Sequence, residues 1–302
     1  MINSYELGKQ LIDCKRWINY RRVWVFVLRA WWNKKEFNGL ADFFAATDLR
    51  KKIIAKQPDI YIQLLRQVLY RGATTANRFA IITKHFEAME AFFSEKALAK
   101  LYIEEKGIEL WHDTLRDEEY AVSLLFRVNE IREGLLTLNF TRNNVGIYHI
   151  NFSLSQGADG QTEILIGALQ GYQGAGDIYK EMTKAFFGYR PKNVILYALR
   201  MLGQRLNVKT IRAVSNYGFQ ANNHMFRSNR KLKTSLDDFW LQAEGELAKD
   251  RRFFNLPIIE KRKTMEEIST HKRNLYRKRF AVLDKLEEDL NAVMSLHMSD
   301  KM

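Results

Sequence analysis

Apolar residues recur every three or four positions through the first hundred residues, then at every second position over several short stretches between about 121 and 170. A 3.6-residue period lays apolar side chains along one face of a helix, whereas a period of two alternates the faces of a strand. The chain therefore predicts a helical block followed by a sheet. Within residues 15–35, Trp17, Trp24 and Trp31 stand seven apart, which places them with Tyr20 and Val27 on one helix face. Thr47 reads as an N-cap, and Pro58 opens a helix over 59–70 that Gly72 stops. Helices over 74–93 and 94–105 follow, with Ser94 as a cap and Gly107 as a terminator.

Residues 121–128, 135–140, 146–153 and 163–170 are rich in branched and aromatic side chains and separated by turn clusters, the signature of an antiparallel meander. In the third of these, Tyr148, Ile150, Phe152 and Leu154 alternate with Ile147, His149, Asn151 and Ser153, giving one wetter face. Helices over 178–187 and 192–206 and a strand over 210–214 come next. Thr234 and Ser235 with Asp237 and Asp238 cap a helix over 236–249. Thr264 with Glu267 repeats the device before a long final helix striped by Leu275, Leu283, Leu286, Leu290, Val293 and Met294. The expected fold is α+β: a helical region over 1–107, then an α+β core over 108–302, a mixed, mostly antiparallel sheet flanked by helices and ending in a long C-terminal helix.

With 46 % hydrophobic residues and only three prolines, the composition is that of a globular chain. Cys14 stands alone, which excludes an internal disulfide and a cysteine-type metal site. Glu6, Lys9 and Asp13 interrupt the first fifteen residues, so they do not read as a secretory h-region. The run 23–28 is far shorter than the ~20 residues that span a bilayer. A cytoplasmic protein, free or peripheral on the inner membrane, is the expectation. The net charge of +13 sits at the two ends: residues 1–100 carry 18 basic and 9 acidic side chains, 101–200 carry 10 and 13, and 201–302 carry 20 and 13. Such flanks suit anionic partners: an anionic membrane surface, a lipopolysaccharide precursor or, less well supported for want of a recognisable motif, nucleic acid.

The tryptophan stripe bears on this choice. An aromatic stripe at helical spacing serves a core, a partner groove or a membrane. Indoles combine an apolar body with an N–H that seeks a wet partner, and Arg16, Arg21, Arg22, Arg29 and Lys34 lie beside them. Trp17, Trp24 and Trp31 are accordingly the candidate membrane contacts.

The sharpest local motif is ILIGALQGYQGAG at 164–176, a strand running through a glycine-rich turn towards a helix, where backbone N–H groups converge and a phosphate could be held. It lacks the P-loop lysine, since Asp177 follows Gly176. Gly174-Ala175-Gly176 resembles the turn with which GNAT-type acyltransferases hold the coenzyme A pyrophosphate, although Gly171 stands where those enzymes place Gln or Arg. No resident cofactor is evident; coenzyme A or an acyl carrier is the donor this motif would take. His149 is a candidate general base if a cleft opens beside it, and otherwise a buried, hydrogen-bonded histidine. Asn216 and His224 lie in a polar loop directly after a strand, where ligand contacts concentrate. Arg190 and Lys192 flank Pro191 at a helix start, where cations oppose the helix dipole and an anion or a salt bridge would relieve them. Arg273 and Arg277 in HKRNLYRKR at 271–279 could clamp a phosphate. No spacing predicts a metal site or a hydrolase triad.

Taken in order, GALQG at 167–171, GYRPKNVILYALRMLG at 188–203, IRAVSN at 211–216, DFW at 238–240, FFNLP at 253–257 and KRNLYRKRFAVLD at 272–284 resemble the VirK/YbjX family of Gram-negative bacteria. The likeness covers 108–286, with the helices upstream resembling the family more loosely and residues 217–220 departing from its pattern. It implies a virulence- or envelope-stress-associated factor connected with resistance to cationic antimicrobial peptides. It brings no accepted catalytic set. Its recurrent polar positions correspond here to His149, Gln170, Gly171, Arg190, Pro191, Lys192, Asn216, Arg273 and Arg277.

Overall fold

The computed structural model describes residues 3–66, 68–157, 159–172, 176–220 and 235–299. Among the described residues seven helices precede the sheet: α1 (Ser4–Leu11), α2 (Ile18–Trp32), α3 (Lys34–Ala45), α4 (Asp48–Lys56), α5 (Ile60–Leu65), α6 (Thr75–Phe92) and α7 (Glu95–Tyr102). Their starts follow the capping logic of the sequence. Thr47 accepts from the Arg50 N–H, Thr74 and Asn77 form a reciprocal capping box, and Ser94 accepts from the Ala97 N–H. The helix expected over 59–70 is shorter, ending at Leu65. Leu69 has left-handed backbone (φ 71°) and donates its N–H to the Arg132 carbonyl at 2.7 Å, so a tertiary hydrogen bond replaces the helical one.

Among the described residues eight strands form one sheet: β1 (Ile108–Leu115), β2 (Glu118–Leu125), β3 (Leu136–Arg142), β4 (Val145–Gln156), β5 (Thr162–Gly171), β6 (Thr210–Val214), β7 (Glu246–Leu247) and β8 (Phe253–Leu256). Their spatial order is β1-β2-β3-β4-β5-β6-β8-β7. Every pairing is antiparallel except β5 with β6, which run parallel because α8 (Gly176–Ala185) and α9 (Pro191–Arg205) connect them. The fold is thus mixed α/β around a mostly antiparallel sheet, closed by the long C-terminal helix α11 (Arg273–His297).

One continuous apolar cluster runs from Val23 and Leu40 in the helices through Ile150 and Phe152 in the sheet to Leu283 and Met294 in α11. His85 of α6 joins helices and sheet. Its Nδ1 accepts the Leu154 N–H at 3.1 Å, so Nε2 bears the proton and donates to the Tyr102 hydroxyl at 2.7 Å. Complete burial holds this imidazole down at about 3, hence neutral.

Three other expectations are corrected. The helix expected over 236–249 is α10 (Leu236–Gln242) only: Glu244 takes positive φ, Gly245 lies too close to the Trp240 carbonyl for any side chain, and β7 begins at once. The Thr264–Glu267 box forms, but the chain turns again through 270–272 before α11 starts at Arg273. Leu275 is exposed rather than part of the buried stripe.

Candidate functional site

Strand register gathers a polar cluster that linear spacing conceals. Thr137 pairs with Asn151, Asn139 with His149, and His149 with Gln170, so these side chains share one face of β3, β4 and β5. The segment between β2 and β3 crosses this region and brings Glu130 to it. The Glu130 carboxylate accepts from Arg127 Nη1 at 2.9 Å, Thr137 Oγ1 at 2.8 Å and Asn151 Nδ2 at 2.7 Å. Arg127 also donates to the Tyr172 hydroxyl at 2.8 Å, which in turn donates to Asn139 Oδ1 at 3.2 Å. Burial alone would push the Glu130 carboxyl up, but His149 and the three donors outweigh it and hold it below its ordinary range.

Two glycines permit this closeness. A Cβ on Gly167 would sit 1.8 Å from the Glu133 carbonyl oxygen, so only glycine lets the crossing segment lie on β5. A Cβ on Gly146 would meet the Tyr172 ring at 2.6 Å. The His149 ring stands edge-on to Tyr172 with centroids 5.3 Å apart. Its Nδ1 is buried with no hydrogen-bond partner among the described residues, and the same holds for Asn151 Oδ1. The histidine is therefore buried with Nδ1 unpaired among the described residues, which departs from the expectation of a buried, hydrogen-bonded histidine. Burial, more than Glu130 can offset, lowers its pKa and keeps the imidazole neutral, able to take a proton or accept a hydrogen bond.

The cluster lies at the end of the sheet where β5 and β6 part. Their pairing runs only from Glu163–Thr210 to Ile166–Ala213, and among the described residues 167–171 of β5 have no strand on that side. Gly171 pairs with Tyr148 and lies so close to the Tyr179 hydroxyl that a Cβ would be 2.4 Å from it. Gly176 opens α8, and among the described residues nothing lies within 4 Å of where its Cβ would be. Gly174 and His224 lie outside the described residues.

The other candidates are placed apart. Asn216 follows β6 and holds the start of α10: its Oδ1 accepts from the Leu236 N–H at 2.8 Å and its Nδ2 donates to Ser235 Oγ at 3.1 Å. Arg190 donates to Gln242 Oε1 at 3.3 Å, and Lys192 lies over the Phe239 ring at 4.4 Å, so both cations meet α10. Arg273 donates to the Ile268 carbonyl at 3.2 Å, while Arg277 is exposed. Sequence reasoning missed Arg127, Glu130, Thr137, Asn139 and Tyr172. The one available signal was the polar alternation Thr137-Leu138-Asn139, which mirrors His149-Ile150-Asn151.

The tryptophan stripe faces outward. Trp17, Trp24 and Trp31 are 84, 56 and 70 % exposed, and Trp32 adds 82 %. Ile18, Val25 and Leu28 are also exposed, whereas Val23, Phe26 and Ala30 fill the buried side. Val27, expected within the stripe, turns half inside. Among the described residues no helix is long and apolar enough to cross a membrane, and no group of three or more His, Cys, Asp or Glu could hold a metal ion.

Helices packed with a mostly antiparallel sheet, a buried polar cluster beside the parallel β5–β6 pair and an outward tryptophan face define a mixed α/β protein. The chain belongs to the DUF535 family, described as a protein of unknown function, whose pattern matches residues 15–292. It is similar to the uncharacterized protein YbjX of Escherichia coli K12, with 27 % identity over 249 residues covering 79 % of this chain and 73 % of YbjX. Two uncharacterized proteins of Haemophilus influenzae are similar as well. One is 23 % identical over 267 residues, 86 % of each chain; the other is 24 % identical over 281 residues, covering 90 % of this chain and 89 % of the relative. No solved structure matches.

Proposed function

We propose that the protein docks on an anionic membrane through the outer face of α2 and acts there on an anionic lipid or lipopolysaccharide component. The cytoplasmic face of the inner membrane is the surface meant. The link to envelope stress, virulence and antimicrobial-peptide resistance is what the VirK/YbjX resemblance implies. The observation that carries the reading is the exposure of three indoles on α2, with a fourth, Trp17, at its N-cap, beside Arg21, Arg22 and Arg29. Such a face is too apolar to be left in water and too basic for a neutral core.

Co-sedimentation with vesicles containing an anionic phospholipid at low salt tests it. Removing two indoles, each withdrawing about 100 Å² from water on insertion, costs about 2 kcal/mol per ring. The Trp24→Ala/Trp31→Ala variant should then bind well over tenfold more weakly than the wild type. Equal binding, or none by the wild type, rejects the reading.

A second reading is acyl transfer of GNAT-like type, with a coenzyme A or acyl-carrier donor entering where β5 and β6 part. The unsatisfied His149 Nδ1 beside Glu130 favours it, since a neutral imidazole next to a carboxylate suits proton removal from an acceptor. Calorimetry with coenzyme A decides, and absence of any heat removes this second reading.

A further inference from the structure

Beside the tryptophan face, a cavity of about 370 Å³ opens between α2, α5 and the segment that precedes β3. Arg21, Arg22 and Arg29 enter it from α2, Arg66 from the end of α5 and Arg132 from the crossing segment, with Phe26 among the apolar lining. Among the described residues none of the five guanidinium groups has a carboxylate within ion-pair distance. Arg66 is half-buried, and burial followed by the fields of Arg132, Arg29 and Arg22 depresses it, with only Asp59 opposing. Arg21, Arg22, Arg29 and Arg132 are exposed and only Arg66 is half-buried, so five like charges ring one partly apolar hollow at the surface and repel one another. A multiply charged anion reverses that balance, because guanidinium forks engage phosphate oxygens in pairs.

We propose that this cavity binds the phosphate-bearing headgroup of an anionic lipid and prefers a phosphomonoester to a phosphodiester. Three of its arginines project from the helix that carries the exposed indoles, so a lipid in the surface against which α2 lies presents its headgroup at the cavity mouth. The lipid source rests on the membrane reading above; the phosphate site itself does not.

The test compares vesicles of equal surface charge containing phosphatidic acid or phosphatidylglycerol, with inorganic pyrophosphate in solution as a third arm. The wild type should bind phosphatidic acid vesicles about tenfold more tightly than phosphatidylglycerol vesicles and should bind pyrophosphate by calorimetry. Arg66→Gln/Arg132→Gln lies off α2 and leaves the indoles in place; it should erase the preference and lower phosphatidic acid binding by about fivefold per arginine. Arg66→Lys/Arg132→Lys, which keeps charge without the fork, should retain vesicle binding yet lose most of the preference, and circular dichroism confirms that each variant folds. Equal wild-type binding to the two lipids, or a preference that survives in the glutamine variant, overturns the proposal. Failure of all vesicle binding with pyrophosphate binding that the glutamine variant abolishes keeps the phosphate site and overturns its lipid source. Absence of both overturns the whole.

Discussion

Glu133 offers a measurement with a defined sign. Its backbone carbonyl lies against Gly167 and its carboxylate accepts a hydrogen bond from Gln220 Nε2 at 2.8 Å. Burial pushes the carboxyl up from its ordinary 4.5 to about 6, overriding Gln220 and Arg132. The folded state thus holds this proton more tightly than the unfolded chain does. Stability is fully present below about 4.5 and is lost as pH rises through about 6, to a total of about 2 kcal/mol for this rise. Glu133→Gln removes the ionisation and keeps an oxygen to accept from Gln220. The variant should therefore be more stable than the wild type by up to about 2 kcal/mol at pH 7.5 and converge with it near pH 4.5. Urea unfolding of both proteins at pH 5 and 7.5 isolates the effect, since titrating groups that do not interact with Glu133 cancel in the difference. A variant less stable than the wild type at pH 7.5, or a difference that does not change with pH, refutes the reasoning.

Two further outcomes follow from the geometry. Gly167→Ala should cost about 1–3 kcal/mol, because its Cβ would displace the Glu133 carbonyl and the segment carrying Glu130; an unchanged thermal midpoint would show that the segment yields freely. Arg200, 2 % exposed, donates to Glu260 at 2.8 Å and to the carbonyls of Pro257 and Ala243, so Arg200→Met should cost about 3–5 kcal/mol in chemical unfolding. Adding Glu260→Gln should recover part of that loss, and no recovery would mean that the carbonyls, not the ion pair, carry the effect.

The order of helices, meander and helix–strand units was legible because each depends on neighbours a few residues apart. Thr47, Thr74 and Ser94 cap the helices they precede, and the alternation around His149 marks a strand, although the face read as wetter, with His149, Asn151 and Ser153, is buried under the segment that carries Glu130. The tryptophan period placed three indoles on one face. Periodicity is identical for a buried and an exposed face, however, and only packing of Val23, Phe26 and Ala30 inward decided that the indoles face out. Where long-range bonds compete with local ones, the local reading failed, as when the Leu69 N–H turns to Arg132 and ends α5 early.

The chain by itself determined its elements, their helical or extended character and the charge at its ends, since these arise from dihedral preference, capping and side-chain period. The tertiary structure alone decided which residues meet. Glu130 reaches Asn151 across 21 positions, and Arg132 reaches Arg66 and α2 across more than sixty. Strand register and the crossing of one segment over a glycine set those meetings, and neither leaves a mark in local spacing because hydrogen-bond ladders and close packing act between segments, whatever their separation along the chain.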